Sequence, residues 1–197
     1  MTRVLNAAET NPREGGATFP LKNRLERLMW SLVWNGLGIW TPVPFHAWRR
    51  ALVRLFGGNI APTAKIYPGV SIWYPRNLEL QAFSCLGRRV NCYSMASIVL
   101  GPYALVSQGA HLCCGSHDVD DPNFQLFTAG IRIESNAWIA ADAFVGPGVV
   151  VGEGAVLGAR GTTTKDLLPW TIYAGNPARQ LRARRRFADV RSLAEDN

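Results

Sequence analysis

From residue 60 onward an aliphatic or similar side chain returns every six positions. The first run is Ile60, Ile66 and Ile72; two residues are added before Leu80, Leu86 and Cys92, and two more before Leu100, Val106 and Leu112. After a longer break the pattern resumes at Ile133, Ile139, Val145, Val151, Leu157 and Thr163. Four places after each stands, as a rule, a small or compact residue such as Ala64, Ser84, Ala104, Ala137 or Ala155, and Gly often follows the aliphatic directly, as at Gly87, Gly101, Gly146, Gly152 and Gly158. A period of six is not the 3.6 of a helix. It fits one short strand plus one corner, with the aliphatic pointing inward and the small residue easing the turn. Three such faces close a coil, and stacked coils pair as parallel strands about 4.8 Å apart. The pattern predicts a mainly β fold, a parallel β-helix of about five coils over residues 58–178, with the two-residue additions stacked at one corner.

The chain ahead of the repeat reads differently. An apolar stretch over residues 28–40 is 13 residues long and broken by Ser31, Asn35, Gly36 and Gly38, short of the roughly 20 that span a bilayer. Leu25, Leu28, Met29, Leu32 and Val33 share one helical face, and Arg24, Arg27, Ser31 and Asn35 the other. Pro42 and Pro44 end this helix, and a second follows over residues 45–56 with Arg49, Arg50 and Arg54 among its apolar positions. Residues 21–57 thus form a helical region holding Trp30, Trp34, Trp40 and Trp48. Two readings stay open: the helices pack on the main domain or another subunit, or residues 21–56 make peripheral membrane contact, where Trp and Arg suit the interface. Residues 1–20 are polar, lack the apolar core of a secretory signal, and are expected to be flexible.

Charge sharpens the division. The net charge of +7 first suggests nucleic acid. Residues 1–56 carry a net +5 and residues 179–197 a net +3, while residues 57–178 carry −1. A nearly neutral repeat domain is a poor nucleic-acid binder, so no nucleic-acid partner is expected. Residues 179–197, with Arg179, Arg182, Arg184, Arg185, Arg186 and Arg191, are expected to form a basic C-terminal helix, solvated or set against phosphates. Cys85, Cys92, Cys113 and Cys114 cluster without zinc spacing or the spread of a disulfide scaffold, which fits free thiols in a reducing cytoplasm. The Gly152, Gly154 and Gly158 run lacks the strand–turn–helix context of a dinucleotide loop.

Several stretches carry a resemblance. Gly-Ser-His-Asp at 115–118, Asp-Pro-Asn-Phe at 121–124, Trp-Ile-Ala at 138–140, Phe-Val-Gly-Pro-Gly at 144–148, Thr-Lys-Asp at 164–166 and Ala-Gly-Asn-Pro-Ala at 174–178 resemble the hexapeptide-repeat acetyltransferases. The likeness is to the colanic-acid-type exopolysaccharide O-acetyltransferases, relatives of the galactoside and maltose acetyltransferases. The resemblance implies a left-handed coil, an exception to the usual right-handed crossover, and a cytoplasmic homotrimer with each active site between two subunits. It implies acetyl-CoA as acyl donor and a saccharide acceptor, either free or as a lipid-linked repeat unit of an envelope polysaccharide. It places Trp138, Ala141, Ala159, Thr164, Lys165 and Arg179 on the CoA groove, and Asn91, Tyr93, Ser94 and Phe124 toward the acceptor. Two positions depart from the family: Ala141 stands where galactoside-type relatives carry Ser, and Ser94 where close relatives carry Asn.

The longest break in the repeat, residues 116–132, is too long and polar for a corner, and insertions in solenoids fall on binding faces. His117 opens it, followed by Asp118, Asp120 and Asp121. Moving an acyl group from a thioester to a hydroxyl needs a base near neutral pKa, a role that suits His. The resemblance makes His117 that base. Asp118 either orients its ring, as the carboxylate does in a Ser-His-Asp triad, or caps a turn. A zinc enzyme on the same fold needs three His ligands; His46 lies in the helical region, apart from His111 and His117, so no metal is expected. A non-catalytic scaffold and an amino-sugar N-acetyltransferase are the remaining alternatives.

Overall fold

The computed structural model describes residues 6–11 and 14–186. Its body is a three-faced prism. The first coil is β1 (Asn59–Ile60), β2 (Lys65–Ile66) and β3 (Ser71–Ile72), and the second is β4 (Leu78–Leu80), β5 (Cys85–Leu86) and β6 (Asn91–Tyr93). The third is β7 (Ile98–Leu100), β8 (Leu105–Val106) and β9 (His111–Cys113), after which β10 (Gly115–His117) and β11 (Leu126–Thr128) form a hairpin outside the prism. The fourth is β12 (Ile131–Ile133), β13 (Trp138–Ile139) and β14 (Phe144–Val145), and the fifth β15 (Val150–Val151), β16 (Val156–Leu157) and β17 (Thr162–Thr163). A partial sixth coil follows. Leu167 bridges Val151, and β18 (Thr171–Ala174) extends the second face. The count is thus nearer six turns than the expected five, because the hexad ends at Thr163 while strand pairing continues.

Register turns the six-residue period into a core. Ile60, Leu80, Leu100, Ile133 and Val151 lie opposite one another down the first sheet. Ile66, Leu86, Val106, Ile139, Leu157 and Tyr173 do so in the second. Ile72, Cys92, Leu112, Val145 and Thr163 complete the third. All are buried. The glycines after the aliphatics let successive coils close up: a Cβ at Gly101 would sit 2.8 Å from the backbone N of Ser135 in the coil above. The two-residue additions stack at the corner between the third and first sheets. There Ser94 Oγ accepts from Tyr74 N–H and donates to Tyr74 O, both at 3.0 Å, and Asn77 Nδ2 donates to Ser94 O at 2.9 Å.

Three helices precede the prism: α1 (Ala7–Thr10), α2 (Leu21–Leu37) and α3 (His46–Leu55). Residues 1–20, read as flexible, include this short α1, whose Ala7 is buried and donates its N–H to Gln125 Oε1 at 2.9 Å. α2 is held to the prism by its tryptophans. Trp30 and Trp34 are buried, stack at 4.8 Å, and donate Nε1–H to Ile72 O (2.7 Å) and Val70 O (2.8 Å). The apolar stripe of Leu25, Leu28, Met29 and Leu32 lies on the opposite side and is exposed, as are Trp40 and Leu55. Among the described residues no helix is long and apolar enough to cross a membrane.

The basic tail differs from its expected helix. Residues 179–183 form β19 (Arg179–Ala183), antiparallel to β18 at the end of the second sheet. Pairing with β18's open edge satisfies backbone groups that a helix starting at Arg179 would leave unpaired. The rest of the predicted helix, residues 187–197, lies outside the described residues.

Candidate active site

The prism projects His117 at the corner that carries the two-residue additions in the coils below. The base of the hairpin is closed by Cys114 N–H on Tyr93 O (3.2 Å) and Ala129 N–H on Cys114 O (2.9 Å). His117, at the end of β10, pairs in register with Leu126. Its Nδ1 lies 2.8 Å from Phe124 O. A carbonyl only accepts, so Nδ1 carries the proton, and the tautomer this fixes is the one with its lone pair on Nε2. Phe124 also stacks its ring on the imidazole, with centroids 4.4 Å apart and an 11° interplanar angle. The side chain is exposed at the surface with its base nitrogen set by a backbone carbonyl, the geometry of a ready proton acceptor.

Asp118 takes the other of its two expected roles. Its N–H donates to Gln125 O at 2.8 Å and its Oδ1 accepts from Asp120 N–H at 3.1 Å. That is a turn cap. The ring-orienting contact expected of its carboxylate is made by Phe124 O instead.

The expected acceptor residues are only partly assembled. Tyr93 and Asn91 stand half-buried on β6, on the face below the hairpin, and the Tyr93 ring lies 5.9 Å from Trp73 and 6.4 Å from His111. Burial raises the Tyr93 phenol pKa, with Cys113 adding to the effect. Phe124 is on the histidine itself. Ser94 is fully buried, and its hydroxyl is engaged on both sides by the Tyr74 backbone, so it faces no acceptor. It tightens the widened corner.

The expected CoA residues divide between two edges. Trp138 is exposed on the outer face of the second sheet and donates Nε1–H to Ser107 Oγ at 2.9 Å. It floors a groove of about 1110 Å³ that reaches Gly158, Ala174, Leu181 and Arg182. Ala141 and Ala159 share the corner between the second and third sheets, where Arg160 N–H donates to Ala141 O at 2.8 Å. Arg179 opens β19 at the end of the second sheet. Thr164 and Lys165 instead turn the next corner, beyond β17, on the edge that bears the His117 hairpin. The sequence reading missed the aromatic and basic side chains Phe19, Arg27 and Trp73 beside Tyr93; the Trp73-Tyr74 pair right after Ile72 was the available signal. Among the described residues no group of three His, Cys, Asp or Glu side chains could hold a metal ion.

No protein-family model matches the chain. It is 37% identical over 162 residues to the Escherichia coli K12 protein named for colanic acid biosynthesis acetyltransferase, WcaF, spanning 82% of this chain and 89% of that one. The chain belongs to the hexapeptide-repeat acetyltransferases. This acetyltransferase chain is also 25% identical over 137 residues to the galactoside O-acetyltransferase of the same organism, 68% of each chain. Its prism superposes on the hexapeptide-repeat acetyltransferase VCA0836 of Vibrio cholerae, solved with acetyl-CoA. The TM-score is 0.73 and the identity 23%, over 88% of this chain and 96% of that one. The prism is therefore the left-handed β-helix of this family.

Proposed function

We propose that this acetyltransferase moves an acetyl group from acetyl-CoA to a hydroxyl of a saccharide in exopolysaccharide or envelope glycan synthesis. The carrying observation is His117, its Nδ1 proton committed to Phe124 O and its Nε2 left as the acceptor, in a chain whose relatives are named for colanic acid and galactoside acetylation. Nε2 takes the proton of the acceptor hydroxyl as its oxygen attacks the thioester carbonyl carbon. The tetrahedral oxyanion is held by backbone N–H groups. Collapse breaks the C–S bond, the CoA sulfur receives the proton from Nε2, and the acetyl ester remains on the sugar. Trp138, Ala141, Ala159 and Arg179 line the donor side, with guanidinium groups for the CoA phosphates.

The enzyme works as a homotrimer with each site between two subunits. The division of the expected residues supports this: the His117 hairpin leaves one edge of the prism, and Trp138, Ala141 and Ala159 belong to another face and corner. A neighbouring copy brings the two edges together. The protein is cytoplasmic and rests peripherally on the inner membrane face, where a lipid-linked acceptor resides. The uncovered stripe of Leu21, Leu25, Leu28 and Leu32, with Trp40 and the net +5 of residues 1–56, supports that contact.

The test is transfer itself. Purified protein with acetyl-CoA and a panel of glycans should yield acetylated product, and His117→Ala should abolish it while CoA binding by calorimetry persists. Unchanged turnover in that variant removes His117 as the base. Light scattering should report three chains; a monomer that is fully active contradicts the shared site. Vesicles with anionic lipid should retain the protein in a salt-sensitive way, and equal recovery without vesicles removes the membrane contact.

A further inference from the structure

The transfer mechanism gives no role to a pocket beside the third face. Residues 15–19 run past the outer side of Trp73 and Tyr93, and α2 places Arg24 and Arg27 beside them, bordering an open hollow of about 490 Å³. Arg27 is held there by aromatic rings. Its guanidinium carbon lies 4.2 Å from the Trp73 centroid and 5.2 Å from that of Phe19, and the two rings are 5.1 Å apart. Nε donates to Asn23 Oδ1 at 2.9 Å. Stacking of this kind fixes the side chain and leaves the guanidinium fork organised before anything binds.

Among the described residues, those that line the pocket include no carboxylate. Among the described residues the ion pairs are Arg76 with Glu26 and Arg132 with Glu134, and neither involves Arg24 or Arg27. The nearest carboxylate in sequence, Glu26, is committed to the Tyr74 hydroxyl and Arg76. Burial lowers the Arg27 pKa, the Tyr93 phenol acts against that shift, and the Arg24 charge adds to it. Two guanidinium groups near one another, with no acid among the described lining residues, favour an anion, and the planar fork suits a carboxylate or phosphate.

Position links this pocket to the reaction. Trp73 N–H bonds to Cys92 O, and Tyr93 pairs with Cys113, so Trp73, Tyr93 and Cys113 occupy successive rungs of the third face. Two rungs amount to about 10 Å. Gly115, two residues from His117, lies against the Tyr93 ring, which would be 3.5 Å from a Cβ placed there. The N-terminal segment that walls the pocket is tied to the histidine hairpin through Ala7 N–H and Gln125 Oε1.

We propose that this pocket holds an anionic group of the saccharide acceptor, a carboxylate or a phosphate. Arg27 is the fork that meets it and Arg24 the second cation, and the sugar extends past Tyr93 toward His117. The inference rests on the acetyltransferase reading and names the acceptor class: an acidic or phosphorylated saccharide.

The probes are a uronate disaccharide, its carboxyl-reduced neutral twin and a sugar 1-phosphate, titrated by calorimetry into the full-length protein. At least one anionic probe should bind tenfold or more tightly than the neutral twin. Arg27→Gln should erase the preference while the CoA Kd stays the same. Arg24→Gln, at an exposed position, should weaken it several-fold without disturbing the packing of Arg27. In the transfer assay both substitutions should raise KM for the anionic acceptor and leave KM for acetyl-CoA unchanged. The carboxylate and phosphate arms identify the group. Equal binding of charged and neutral probes, or a preference that survives both substitutions, overturns the proposal. Transfer to glycans without charge preference would sink the pocket and keep the acetyltransferase reading; charge-selective binding without any transfer would do the reverse.

Discussion

Arg49 offers a sharp test of how the helices are fastened to the prism. It is fully buried, yet no carboxylate faces it among the described residues. Its guanidinium instead gathers carbonyls from the α2–α3 turn and the first coil. Nε donates to Ile66 O (2.6 Å), Nη1 to Thr41 O (3.2 Å), Thr41 Oγ1 (2.7 Å) and Pro42 O (3.0 Å), and Nη2 to Val43 O (2.7 Å). Replacing Arg49 by Met keeps the apolar stem and removes every donor. Ile66 O retains a ring nitrogen of His46, and Pro42 O retains Phe45 N–H. Thr41 O and Val43 O lose the donors that Arg49 supplies. Stranding two part-buried carbonyls at about 1–3 kcal/mol each, less the relief of no longer burying a cation, gives a loss of about 3 kcal/mol. For a chain of this size that lowers Tm by about 6–12 °C. Circular dichroism melts give the number. Because stacked coils open from their ends, tryptophan fluorescence from Trp30 and Trp34 should change before the strand signal does. Arg49→Lys, which cannot reach all of these acceptors at once, should fall between. A Tm within about 2 °C of the parent for Arg49→Met would show that these bonds do not fasten the helices to the prism.

Other outcomes follow from the same geometry. Asp118→Asn preserves the turn cap and should keep kcat within about threefold, whereas a triad carboxylate would cost about 10⁴; steady-state kinetics decide between them. Phe124→Ala removes the ring against His117 but keeps the carbonyl, and should lower kcat about tenfold or more through looser placement of the base, with KM for acetyl-CoA unchanged. Gly101→Val drives a side chain into the backbone of Ser135 and should destabilise the prism by about 1–3 kcal/mol, read by chemical denaturation. Burial lowers the His111 pKa, so the unfolded chain takes up the proton first. Stability is full above the unfolded value of about 6.5 and declines as pH falls through it; melts from pH 7.5 to 5 should show Tm falling, and less so in His111→Phe.

The prism was legible because its signal is strictly local. An inward residue at every sixth place, a compact one four later and glycines where coils close are all visible in one dimension, and each aliphatic of the repeat is buried. Sidedness was not. Spacing located the apolar stripe of α2, but indole N–H groups on Val70 O and Ile72 O decide which face meets the prism, and the stripe points outward. The arginines after Ala178 read as a helix, yet the open edge of β18 draws residues 179–183 into a strand. At the site, the loop and His117 were visible from the broken repeat. The partner of Nδ1 was not, since Phe124 O is a backbone atom brought close by the hairpin's return. Ser94 looked polar and available, but the stacked corner uses its hydroxyl twice.

In the proposed mechanism Nε2 of His117 takes the acceptor proton during acetyl transfer. The direct measurement is mass-spectrometric product analysis for the parent protein and His117→Ala, with both saturated with acetyl-CoA as verified by calorimetry. Acetylated saccharide is expected from the parent, with loss of enzymatic turnover in the variant at equal donor occupancy. Equal product from both, or none from the parent across acidic, phosphorylated and neutral glycans, would contradict it.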